Sequence, residues 1–243
     1  MPTVAIGIVF HGFVTAVVAF VAFILVYELL KRKNDQYRSY SFFWLATGFL
    51  WLQNAVRNFG FGIFAENFPR YESSVLSQAT VFISGVPLFY YVGIKVFRSR
   101  VVARLLAGQA TLAGVVGIYF LFQPNGVHFE PISFFTVEAV ANVVSSMIFR
   151  VEIAIVALVL LGNIIRHRHN KNADGHNHEI WYDLAILLYV ALGGIDLTKI
   201  VDDWALVIFR LLYCAAFLLV FLLVQHDQEN DDTYMVRSST QSS

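Results

Sequence analysis

Only one cysteine, Cys214, stands in the 243 residues, and it lies inside an apolar run. A lone thiol excludes an intramolecular disulfide framework and any cysteine-based metal site. Charge is scarce as well: Asp, Glu, Lys and Arg make up 14% of the chain, against about 25% in an ordinary soluble domain. Acidic and basic residues cancel at 17 each, and no basic block offers a footing for nucleic acid. The hydrolytic signatures G-x-S-x-G and H-E-x-x-H are missing, as is a phosphate-binding glycine loop. No catalytic residue can be nominated.

What fills the chain instead is apolar: 58% of residues are hydrophobic and 16% aromatic, with a mean hydropathy of +0.64. The apolar residues gather into seven runs, at 4–30, 40–63, 76–97, 101–122, 145–165, 181–200 and 204–225. Each is long enough, at about 1.5 Å per helical residue, to cross a hydrocarbon core of about 30 Å. A transmembrane barrel would show alternating segments of about 10 residues, and none occurs. The expected fold is an all-α membrane protein, a seven-transmembrane-helix bundle over 1–226. An acidic, then Ser/Thr-rich tail over 227–243 is expected to be disordered. The first run is too long for a signal h-region, lacks a basic n-region, and is read as a retained span.

Loop charge gives an orientation. Lys31, Arg32, Lys33 and Arg38, then Lys95, Arg98, Arg100 and Arg104, then Arg166, Arg168 and Lys171, and finally Arg237 fall at or beside connections to one face. The opposite connections supply only Arg70 and Lys199. The positive-inside rule then places the N-terminus outside and the C-terminus in the cytoplasm. The expected location is integral and multi-pass, in the cell or cytoplasmic membrane.

The remaining polar residues sit toward the opposite, non-cytoplasmic ends of the spans. Arg57 lies 17 residues from Tyr40, about 25 Å along a helix. Asn54, Arg150, Glu152, Asp196, Arg210 and His11 fall in the same depth zone. Charge inside a bilayer is expensive and usually functional, so these seven form a candidate ligand-binding vestibule. Arginine suits a planar anionic partner because its guanidinium fork matches carboxylates. Internal pairing of Arg57, Arg150 and Arg210 with Glu152, Asp196 and Glu138 would satisfy the same geometry. Glu138, Asn142, Ser146 and Arg150 step by four and predict a polar stripe on an early-starting fifth helix. Asp196 and Lys199 are spaced for an ion pair, and Asp202 and Asp203 for capping the seventh helix.

Other patterns have plainer readings. Ala110 with Gly114, and Ala113 with Gly117, would let two helix backbones approach closely. Pro87 and Gly193-Gly194 mark kink points. His167, His169, His176 and His178 crowd the fifth connection with the spacing of a metal site, yet its Asn and Gly content fits a solvated loop, and no metal is assigned. His11 is the only histidine well inside a span, one imidazole too few for a six-coordinate haem.

Seven helices, an external N-terminus and about 240 residues resemble the outline of the microbial rhodopsins. That family carries retinal on a lysine in the middle of its seventh helix, whereas 204–225 contains none and the third span holds no carboxylate. A retinal protein is excluded. The outline is also similar to the seven-helix sensory modules that precede bacterial signalling enzymes, although the 18 residues after 225 hold no kinase or cyclase. The expected function is that of a receptor or sensor with a polar vestibule. Its partners would be the lipid bilayer, a small polar or anionic ligand, and a membrane or cytoplasmic protein. A small transporter or channel, or a structural subunit of a larger membrane complex, is the alternative.

Overall fold

The structure, a computed structural model, describes residues 5–31, 35–130, 132–169, 177–198, 200–201 and 203–240, without the side chains at 35–36, 66, 168–169, 177–179 and 227–240. Its α-helices are α1 (Ile6–Leu30), α2 (Asp35–Phe64), α3 (Arg70–Phe97), α4 (Arg100–Leu121), α5 (Val143–His169), α6 (Asn177–Thr198) and α7 (Asp203–Thr240). Six of the seven, all but α2, are long and apolar enough to cross a membrane. The chain is a multi-pass membrane protein.

Helix α1 shows why. Phe10, Phe13, Val17, Phe20, Ile24 and Tyr27 are exposed at steps of three and four residues, so they line one face. The opposite face carries Ile8, Val18, Ala22, Leu25 and Leu29, all buried. A helix apolar on both sides has its place in a bilayer, one side against protein and the other against lipid. Helix α2 misses the apolar threshold because Gln53, Asn54, Arg57 and Asn58 crowd its second half. Arg57 and Asn58 are buried, while Phe42, Phe49, Leu52, Val56 and Ile63 are exposed.

Each helix packs on the next, and α7 closes onto α1, giving a ring; α3 also touches α5. Aromatic side chains fill the interior. Tyr40 stacks on Tyr91 (ring centroids 4.6 Å apart), Trp44 meets Tyr189 at 5.3 Å and Phe217 at 5.0 Å, and Trp51 meets Tyr213 at 4.7 Å. Between α3 and α4, the Phe82 ring lies where a Cβ on Gly117 would stand, and Gly114 rests against the same residue. The small-residue face of α4 thus serves a contact within the chain. The α3–α4 reversal uses Arg98 in the left-handed region (φ 50°) and Ser99, whose Oγ accepts from the Val102 N–H at 3.3 Å.

At the end of the bundle where α4 leads to α5, a short antiparallel hairpin pairs β1 (Val127–Phe129) with β2 (Ala139–Ala141). This overturns the expected early start of α5. Asn142 caps the helix instead: its Oδ1 accepts from the Ser145 N–H at 2.8 Å and its Nδ2 donates to the Phe120 carbonyl at 2.7 Å. A side chain able to satisfy free N–H groups favours the cap position over the helix interior, so the four-residue polar stripe does not form. At its other end α7 continues as helix through Thr240, past the boundary drawn at 226; the side chains there lie outside the described residues.

Lys95 also differs from the sequence reading, which counted it with the loop charges. Its Nζ pairs with Asp183 Oδ1 at 2.9 Å, both side chains almost fully buried. Asn163 donates to Asp183 Oδ2 at 2.8 Å. The Tyr91 and Tyr182 rings lie 5.6 and 5.5 Å from the Lys95 ammonium. This cluster sits at the bundle end opposite the hairpin.

Candidate functional site

The loop joining β1 to β2 folds inward over the starts of α1 and α7. Ser133 and Thr136 close it with a backbone bond of 3.1 Å and a hydroxyl pair at 2.6 Å. Arg70 holds its neck, donating to the Glu130 carbonyl at 3.2 Å with its guanidinium 4.2 Å from the Phe129 ring centre. The Phe135 N–H reaches Asp203 Oδ1 at 3.4 Å, and the Phe135 carbonyl accepts from His11 Nδ1 at 2.8 Å. Glu138, three residues further, is delivered into the bundle and is 6% exposed.

Arg210 answers it. Its Nη2 donates to Glu138 Oε1 at 2.5 Å, and its Nη1 donates to His11 Nε2 at 2.7 Å. These partners settle the imidazole. A carbonyl only accepts, so Nδ1 carries the proton; a guanidinium only donates, so Nε2 presents its lone pair. His11 is a neutral Nδ1–H tautomer, clamped between loop and arginine. The Arg210 guanidinium also lies over the Trp51 ring, 5.9 Å from its centre.

A cavity of about 160 Å³ opens beside this pair. Arg57, Asn54, Glu152, Asp196 and Arg210 all line it, together with Glu138. Arg57 is 3% exposed and Glu152 5% exposed. Among the described residues neither forms a hydrogen bond or ion pair, and Arg57 Nε, Glu152 Oε1 and Asp196 Oδ1 are buried without partners. The remaining walls are largely apolar and aromatic, with Phe43, Trp51, Leu88, Phe89 and Val156 among them.

Five of the seven candidate residues therefore share one cavity, and His11 joins them through Arg210. Arg150 does not: its side chain is exposed, with one contact to the Leu197 carbonyl at 3.5 Å. It is offset from Glu152 by two positions, which turns it about 200° around the helix axis. Glu138 entered the sequence reading as a pairing partner, and the structure makes it part of the site. Its signal is a single carboxylate inside the apolar stretch 134–141. Lys199 and Asp202 lie outside the described residues; Asp203 stands in the first turn of α7, and its Oδ1 accepts from the Phe135 N–H.

Nothing among the described residues gathers three or more His, Cys, Asp or Glu into a metal-binding group. His167 donates to the Asn163 carbonyl at 2.8 Å; His176 and the side chains of His169 and His178 lie outside the described residues. Compared with known protein families, with curated proteins and with solved structures, the chain has no match.

Proposed function

We propose that the chain is a receptor or sensor whose seven helices all span the membrane, with a small polar ligand held in the charged cavity. The observation that carries this reading is the pair Arg57 and Glu152. They have opposite charge, line one cavity and are almost fully buried, yet among the described residues neither has a protein partner. Removing one partner of a purely structural pair strands the other at about 3–5 kcal/mol. Two opposite charges kept apart inside a protein instead need solvation by water or a ligand. A subunit that met a neighbour through its charges would present them outward; here they face the bundle interior.

Helix α2 counts as the seventh span because its polar residues turn inward and its exposed face is apolar. The hairpin end is then non-cytoplasmic, the N-terminus outside and the C-terminus in the cytoplasm of a cell or cytoplasmic membrane. Output would pass through the basic connections to a membrane or cytoplasmic partner. A second reading, a small transporter, draws support from the buried Lys95, Asp183 and Asn163 at the opposite end. Tyr40, Trp44, Thr47 and Trp51, spaced by four, three and four, put a line of polar tips between the two charged zones.

Two measurements test this. A reporter fused after Ser243 should be cytoplasmic, and one inserted between Pro124 and Gly126 external; the reverse result removes the orientation. Native purification followed by mass spectrometry should recover a small molecule from the wild-type protein that at least one of Arg57→Gln and Glu152→Gln retains poorly at unchanged thermal stability. If both substitutions destabilise the fold severely and no molecule is recovered, the charges are structural. Flux of the recovered molecule in proteoliposomes would favour the transporter.

A further inference from the structure

We infer that the ligand of this cavity is a small organic amine whose ammonium group is received by Glu152. The inference rests on the ligand-binding reading above and deepens it by naming the chemical class. It starts from which charges already have company. Arg210 is engaged by Glu138 and His11. Arg57 has no direct partner among the described residues, but Glu138 and Asp196 line the same cavity. Glu152 likewise forms no hydrogen bond or ion pair among the described residues, and its Oε1 is buried without a partner. It is the carboxylate left over. The expected partner of Asp196, Lys199, lies outside the described residues, so the inference is built on Glu152 alone.

The space beside Glu152 has the right form. Gly85 of α3 faces it, and a Cβ there would stand 3.7 Å from Oε2. A larger residue at 85 would fill the ground in front of the carboxylate. On α6, Gly193 also lines the cavity, and a Cβ on it would meet nothing within 4 Å. Phe82, Phe89, Phe149, Trp51 and Tyr189 contribute aromatic walls. Aromatic faces attract cations, and more strongly when water is excluded. A lone carboxylate with aromatic walls is a cation receptor. The volume, about 160 Å³, is close to the roughly 150 Å³ that accepts a benzene ring, which limits the organic part of the amine to about one ring.

Other ligand classes fit less well. An anion would have to be received by Arg57, with Glu138 and Asp196 lining the same cavity, because Arg210 is engaged and Arg150 is exposed. A divalent hard cation takes about six to eight oxygen ligands, and the described residues gather no group of three or more His, Cys, Asp or Glu to anchor one.

The test uses the full-length protein in detergent micelles and three probes of matched size: 2-phenylethylamine, 3-phenylpropionate and L-phenylalanine. Binding is read by titration calorimetry and by quenching of tryptophan fluorescence. The amine should bind wild type at least tenfold more tightly than the other two. Glu152→Gln should weaken it at least tenfold, and Arg57→Gln less than threefold. Gly193→Leu, which fills the cavity, should abolish binding, while Gly193→Ala controls for loss of fold. Equal amine affinity in wild type and Glu152→Gln would mean that Glu152 carries a proton instead of a ligand, and would overturn the inference. Propionate or phenylalanine binding best, and failing in Gly193→Leu, would also overturn it while sparing the ligand-binding reading. No binding by any probe would count against both.

Discussion

Replacing Arg210 with Met removes a donor that reaches both Glu138 and His11. The bond to Glu138 has charge on both sides, and hydrogen bonds to charged groups contribute about 1.5–3 kcal/mol. The bond to neutral His11 is charge-assisted from the donor side alone. The larger consequence is what remains behind. Glu138 is 6% exposed, so its carboxylate would lose its counter-ion in a site that water reaches poorly. Breaking a buried pair from one side costs about 3–5 kcal/mol. In a membrane those values shrink, side-chain hydrogen bonds between helices averaging only about 0.6 kcal/mol, so the two bonds alone would contribute little more than about 1 kcal/mol there. The size of the loss therefore separates a stranded charge from two lost bonds. The assay is equilibrium unfolding in mixed micelles of rising dodecyl sulfate content, followed by tryptophan fluorescence, since Trp51 lies beside the arginine. Arg210→Met should cost about 3–5 kcal/mol, and Glu138→Gln together with Arg210→Met should recover at least about 2 kcal/mol of the summed single losses. A single loss below about 1 kcal/mol with additive behaviour would refute the argument that this pair is desolvated.

Lys95→Met and Asp183→Asn should each destabilise by about 3–5 kcal/mol, and the double variant by clearly less than their sum, in the same unfolding assay. Arg150→Gln should stay within about 0.5 kcal/mol of wild type, because its exposed guanidinium has only one long contact to a carbonyl. Gly117→Val should cost about 1–3 kcal/mol by overpacking, since Phe82 fills the space beside the glycine; thermal denaturation in detergent reads it directly. Gly193→Ala, with open space around its Cβ, should be neutral or stabilising by up to about 1 kcal/mol.

The spans were legible in the sequence because burying backbone in lipid leaves so few solutions. The run at 4–30 became Ile6–Leu30, and that at 101–122 became Arg100–Leu121. Several helices run past their apolar cores, as α2 does from Asp35. A helix continues through the polar interface as long as its own hydrogen bonds are satisfied, and hydropathy does not register that. Facing was harder to read. Glu152 and Arg150 differ by two residues, yet one points inward and the other out. In α5, apolar residues surround the helix, so no periodicity marks which side packs. Lys95 was hidden for a related reason: near a loop, a lysine reads as a surface charge until Asp183 on another helix is seen beside it. The hairpin escaped because its strands are three residues each, too short for alternation to show.

The closure of the ring by α7 has a consequence for how the protein is made. His11 and Arg210 are separated by 199 positions, and Glu138 and Arg210 by 72. Helices enter a membrane in the order of their synthesis, so the first helix and the loop carrying Glu138 are in place before their common donor emerges. Until then the Glu138 carboxylate and the His11 Nε2 lack the guanidinium that bonds both in the finished protein. Interruption anywhere before α7 leaves that defect permanently exposed to the lipid or to the cell's surveillance machinery. The last helix is thus the one whose arrival turns an inserted chain into a finished protein.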